Sequence, residues 1–126
     1  MTVNYKSIAK KLKFEGRAFI NGKYANAIDG EKFTTINPAT GEKLCTVAKC
    51  NHKDVDLAVK VSRKAFNSGV WSRTSPEFRK DVLLKFAELL RQTGEENSVL
   101  ECVDTGKLIG DCINEVANDA PMHFQW

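Results

Sequence analysis

The sequence predicts an α+β fold: a small antiparallel β-meander followed by three to four helices. Three observations carry this. β-rich runs alternate with turn dipeptides through the first fifty residues. After Cys50 the apolar period changes from two to 3.6. From there on, helix start and stop residues recur at helical lengths.

Residues 1–17 form a lysine-rich arm, in which Ile8 and Leu12 are four apart and allow a turn or two of amphipathic helix. Ala18–Tyr24 reads as two short strands about Asn21-Gly22, a pair suited to a type I′ turn because both residues tolerate positive φ. Asp29-Gly30 is a second turn. Lys32–Ile36 is β-rich, and Asn37-Pro38-Ala39-Thr40-Gly41 reverses the chain. Lys43–Lys49 resumes as a strand, with Leu44, Thr46 and Ala48 on one face.

Asn51 caps the first long helix, with Asp54 in its first turn and Gly69 at its end. Val55, Ala58, Val59, Ser62, Ala65 and Phe66 fall on one face and predict its buried stripe. Ser75-Pro76-Glu77 starts a second helix. Its stripe is Phe78, Val82, Phe86, Leu89, Leu90 and Thr93, and Gly94 stops it. A third helix runs from about Glu95 to Thr105, with Val99, Leu100 and Val103 inward and Gly106 as its end. A fourth begins near Gly110, on the spacing of Ile113, Val116, Ala117, Ala120 and Phe124. Pro121 should kink it, since proline lacks an N–H and clashes with the preceding turn.

The chain has 126 residues, 42% hydrophobic and 28% charged, an ordinary mixture for one folded domain. Intrinsic disorder is excluded by this apolar content. No apolar run reaches the length of a membrane span, and no secretory or transit segment precedes Gly16, so the expected location is cytoplasmic. Net charge is +3, unevenly placed: residues 1–23 hold six Lys/Arg and one acid, whereas residues 93–126 hold one base and seven acids. This reads as two oppositely charged solvated faces. The cluster Lys10-Lys11-Leu12-Lys13 lacks the aromatic interleaving of a nucleic-acid module, so neither nucleic acid nor membrane is an expected partner.

Cys45, Cys50, Cys102 and Cys112 read as free thiols. Cys45, Cys50 and His52 could make half a zinc site, but the spacing is unusual and no second pair completes it. His52 and His123 are the two imidazoles, and neither has an assignable nucleophile or orienting partner. There is no glycine-rich phosphate loop. The residues by themselves identify no catalytic or cofactor-binding set.

The order of local motifs is nonetheless specific. Phe19-Ile20-Asn21-Gly22-Lys23-Tyr24 precedes Ile36-Asn37-Pro38-Ala39-Thr40-Gly41-Glu42. Asp54-Val55-Asp56-x-Ala58-Val59, Ala65-Phe66 and Trp71-Ser72 follow, then Ser75-Pro76-x-x-Arg79. Leu83-x-x-Phe86-Ala87-x-Leu89-Leu90 and Asp104-Thr105-Gly106-Lys107 close the series. Over residues 18–126 this resembles the N-terminal segment of the NAD(P)-dependent aldehyde dehydrogenase superfamily. The likeness is nearest to the γ-glutamyl-γ-aminobutyraldehyde or betaine-aldehyde type. The family usually continues Asp-Thr-Gly-Lys with proline, where Leu108 stands here.

The resemblance implies a partial cofactor-domain segment of an α/β enzyme that oxidises aldehydes to acids. Its cysteine nucleophile, glutamate base and NAD or NADP cradle lie outside the matched motifs. None of the four cysteines matches the nucleophile, so the chain alone is expected to be inactive and to hold no dinucleotide tightly. The resemblance also implies a weak Na⁺ or K⁺ site at the carbonyls of Thr35 and Ile36 and the carboxylate of Asp104, because hard cations prefer oxygen. It implies too that Phe78, Val82, Phe86, Leu89, Leu90, Phe124 and Trp126 would pack on the rest of the enzyme. Exposed, they would favour self-association or pairing with a full-length paralogue.

Overall fold

The computed structural model describes residues 3–125; Trp126 lies outside them. The elements are α1 (Tyr5–Ala9), β1 (Ala18–Ile20), β2 (Lys23–Ala25), β3 (Lys32–Ile36), β4 (Lys43–Ala48), α2 (His52–Ser68), α3 (Pro76–Gln92), α4 (Gly94–Thr105) and α5 (Ile109–Cys112). A π-helical segment, Ile113–Asp119, then leads into α6 (Ala120–His123). No described helix is long and apolar enough to cross a membrane. The chain forms two compact units. One holds residues 14–35 and 43–76; the other holds 1–13, 36–42 and 77–126.

The first unit is two strand pairs and α2. The pairs are β1–β2 and β3–β4, two separate two-stranded sheets rather than one continuous meander. β1 and β2 are antiparallel, with Ile20 opposite Lys23. That register leaves Asn21 and Gly22 as a two-residue loop, and both have positive φ, 56° and 76°. At the start of the unit the Arg17 guanidinium holds both oxygens of Glu15, at 2.8 and 2.6 Å. It also lies 5.4 Å from the Tyr24 ring. The guanidinium lowers the Glu15 carboxyl from 4.5 to about 2. A depressed carboxyl favours the folded state above its ordinary value and loses that contribution as the pH falls towards 2. The Arg17 side-chain resonances are therefore expected to hold steady from pH 7 through pH 4 and to titrate near 2 in an NMR series. Both partners are solvent-exposed, so the effect on stability is small.

Helix α2 has the cap its sequence announces. The Asn51 side chain accepts from the Lys53 amide at 2.8 Å, and Asp54 reaches back to the Asn51 amide at 2.9 Å. Gly69 closes the helix with φ 81°. The other Asp54 oxygen accepts from the Ile28 amide at 2.9 Å. This second bond fixes the rotation of α2 about its axis. It turns Asp54, Leu57 and Val61 towards Ile20, Ala25 and Ile28 around a shared cavity of 280 Å³. The predicted stripe faces the other way: Val55, Val59 and Phe66 are 59–61% exposed. The helix has two apolar faces, and the hairpin takes the one that periodicity alone does not select.

The second unit is helical. α1, capped by Asn4, packs on α4. Ile8 and Lys11 share a cleft with Glu95 and Glu96, so here part of the basic arm meets part of the acidic stretch. Gly94, predicted as the stop of α3, is instead the first residue of α4. A Cβ there would come within 2.8 Å of the Ala117 Cβ, so glycine allows α4 and the π segment to touch. The fourth helix continues through Pro121 without breaking. Its backbone widens instead, and the Ala120 amide bonds to Glu115, five residues back. The wider turn relieves the clash between the proline ring and the preceding carbonyls, and Pro121 is fully buried. The α3 stripe is half exposed, with Phe78 at 51% and Val82 at 40%, while Ala87 is buried.

Among the described residues the buried apolar side chains are Ala27, Ala48, Ala87, Val99, Cys112 and Pro121. No phenylalanine, leucine, isoleucine or tryptophan is among them. A self-contained domain normally buries its largest apolar residues, so each unit has a thin core.

Candidate functional site

The motif Asp104-Thr105-Gly106-Lys107 is the C-terminal cap of α4. Gly106 takes φ 77° and its amide bonds to Cys102. The Thr105 hydroxyl donates to the Glu101 carbonyl at 2.7 Å and accepts from the Lys107 amide at 3.3 Å. Lys107 donates to Glu115 at 2.6 Å and lies 3.5 Å from Glu101. The bond to Glu115 is the main reason its ammonium is held above the usual lysine range. Leu108 stands at φ −63°, ψ 138°, a backbone proline would also adopt, so the leucine leaves the turn intact.

This cap lies against the turn Asn37–Gly41. A Cβ on Gly106 would come within 2.8 Å of the Pro38 ring. The turn is itself well built: Asn37 accepts from the Ala39 amide through its side chain and from the Gly41 amide through its carbonyl. Ile36 and Asp104 are thus carried by two neighbouring segments of the helical unit, and both are exposed. Thr35 belongs to the other unit, where its hydroxyl contacts the Cys45 sulfur at 3.6 Å. Among the described residues no cluster of three or more His, Cys, Asp or Glu could hold a metal ion, and Cys45, Cys50 and His52 make no such group.

The four thiols are free and sit in different surroundings. Cys50 is exposed, and Cys45 and Cys102 are half-buried. Cys102 donates to the Lys107 carbonyl at 3.1 Å. Cys112 is buried, and burial pushes its thiol above the ordinary range, away from nucleophile chemistry. With an aromatic disulfide reagent at neutral pH, Cys50 is expected to react first and Cys112 only on denaturation; fast native labelling of Cys112 would contradict this packing. His52 opens α2 and His123 ends α6, each exposed.

The sequence and fold match known proteins closely. The aldehyde dehydrogenase family model matches residues 24–126. Aldehyde dehydrogenase 1 of Tanacetum cinerariifolium is 50% identical over 104 residues, covering 82% of this chain and 21% of that protein. The solved γ-glutamyl-γ-aminobutyraldehyde dehydrogenase of Burkholderia cenocepacia J2315 superposes with a TM-score of 0.93 at 40% identity, over 97% of this chain and 25% of that one. The indole-3-acetaldehyde dehydrogenase of P. syringae, solved with NAD⁺, gives a TM-score of 0.93 at 42% identity, again over 97% and 25%. The chain thus spans between a fifth and a quarter of the length of these relatives. The motif order, the α4 cap seated on the Asn-Pro turn and the family match agree: the chain belongs to the aldehyde dehydrogenase family.

Proposed function

We propose that this chain supplies the N-terminal part of an NAD(P)-dependent aldehyde dehydrogenase, and that by itself it oxidises no aldehyde. The family match over residues 24–126 carries the reading. Its division of labour is a basic arm at 1–17 and a partial cofactor-domain segment at 18–126. Oxidation to an acid needs a nucleophile, a base that activates water and a surface that orients the dinucleotide. The resemblance puts all three in the remaining part of the fold. The buried, raised Cys112 thiol is poorly suited to stand in for the nucleophile. NAD or NADP therefore binds the whole enzyme and is held only weakly here. The resemblance alone supports Thr35, Ile36 and Asp104 as ligands of a weakly held monovalent cation.

The isolated chain is expected to give no NADH above a blank with γ-glutamyl-γ-aminobutyraldehyde. Fused in place of the matching quarter of the B. cenocepacia enzyme, it is expected to restore NAD⁺ reduction. An inactive but folded fusion would refute the reading. A second reading, a stand-alone interaction module that self-associates or pairs with a full-length paralogue, is favoured by the half-exposed α3 stripe. Light scattering showing a monomer at high concentration would count against it.

A further inference from the structure

We propose that Asn21 is a site of spontaneous deamidation, converted through a cyclic imide to aspartate and isoaspartate while the chain is folded. Two pairs in the sequence place a glycine after a residue able to close such a ring, Asn21-Gly22 and Asp29-Gly30. Ring closure brings the glycine nitrogen onto the side-chain carbonyl carbon of the residue before it, so both groups have to be free to move. At Asn21-Gly22 they are. Both residues are exposed at the tip of the β1–β2 hairpin. Among the described residues neither the Asn21 side chain nor the Gly22 amide has a hydrogen-bond partner. Asp29-Gly30 is held instead. The Asp29 carboxylate accepts from the Glu31 amide at 3.0 Å and from the Asn51 side chain at 2.6 Å, and the Gly30 amide donates to the Ala27 carbonyl at 2.8 Å. Open space surrounds the Cβ position of both glycines, so hydrogen bonds rather than access separate the two pairs.

The reaction needs only water and base. The Gly22 nitrogen loses its proton and bonds to the Asn21 Cγ; the Cγ–Nδ2 bond breaks, and ammonia leaves with a proton from solvent. Water then opens the five-membered imide. Attack at Cγ restores the chain with aspartate at 21, and attack at the backbone carbonyl routes the chain through Cγ as isoaspartate. Nothing is oxidised or reduced: an amide and water become a carboxylate and ammonium. Isoaspartate adds a methylene to a loop whose two-residue length sets Ile20 opposite Lys23. Ile20 and Lys23 both line the cavity shared with α2, so the change passes from the loop to the face that meets the helix.

The test is incubation of the folded chain at physiological temperature, in neutral and mildly alkaline buffer, beside the same chain in urea. Trypsin then releases residues 18–23, which gain one mass unit on conversion. Isoaspartate from Asp29 leaves the mass of residues 24–32 unchanged and is read by an isoaspartyl methyltransferase. In the folded chain Asn21 is expected to convert at least about tenfold faster than Asn26 or Asn67, which precede alanine and serine, and faster at the higher pH. Folding should slow Asn21 by no more than about threefold and Asp29 by at least about tenfold. Gly22→Ala, with circular dichroism matching wild type, should slow Asn21 at least about tenfold. Asn21 left intact until the chain unfolds, folding that protects Asn21 and Asp29 alike, or a product of aspartate without isoaspartate would each overturn the proposal.

Discussion

Asp54→Ala is expected to destabilise the α2 unit by about 3 kcal/mol. The carboxylate is 3% exposed and accepts one backbone amide on each oxygen, from Ile28 and from Asn51. Truncation leaves two amides without an acceptor and removes half of the capping box. Asp54→Asn keeps one acceptor oxygen and turns an amide donor towards the other N–H, so it should cost about half as much. The urea midpoint measures the loss. Amide exchange locates it: the Ile28 amide should lose protection in Asp54→Ala, and either the Ile28 or the Asn51 amide, not both, in Asp54→Asn. An Ile28 amide that stays protected in Asp54→Ala would show that the carboxylate does not hold this loop.

Gly16→Ala should do comparable damage by the opposite route. Gly16 lies beside β4, where its carbonyl accepts the Ala48 amide at 2.7 Å. A Cβ at residue 16 would fall on the Thr46 carbonyl oxygen, a backbone atom that cannot rotate away. The strand has to retreat, and overpacking against backbone costs about 2–3 kcal/mol. The expected signature is a lower midpoint with early exchange of the Ala48 amide. Gly22→Ala makes a useful contrast. Open space surrounds that position, so only the strain of a positive φ is introduced, about 1 kcal/mol.

What the sequence discloses here is local chemistry. The Asn-Gly hairpin, the Asn51 and Asp54 cap, the glycine ends at 69 and 106 and the Asn-Pro turn are each settled by residues within about five positions of one another. All stand as the sequence predicts. What it conceals is decided at a distance. The stripe at Val55, Val59 and Phe66 is a real apolar face, but a carboxylate bond to residue 28 chooses the opposite one for burial. Gly94 carries the same letter as a helix stop, yet it serves a contact with Ala117. The site was legible as a motif order only. Asp104 is exposed at the end of α4, Ile36 ends β3 just before the Asn37–Gly41 turn, and nothing in their spacing joins them without the likeness to a family.

The widened backbone at Ile113–Asp119 also acts as a phase shifter. A helix reads out its side chains at a fixed angular step, and inserting one residue into a turn advances everything downstream by roughly 100°. Phe124 meets the ring of Phe86 edge-on, with centroids 4.8 Å apart, and Gln125 reaches Arg91 at 2.7 Å. Both contacts lie beyond the insertion. Deleting a single residue from that segment would tidy the hydrogen bonds while aiming the aromatic ring away from α3, so the irregular turn sets the bearing of Phe124 and Gln125.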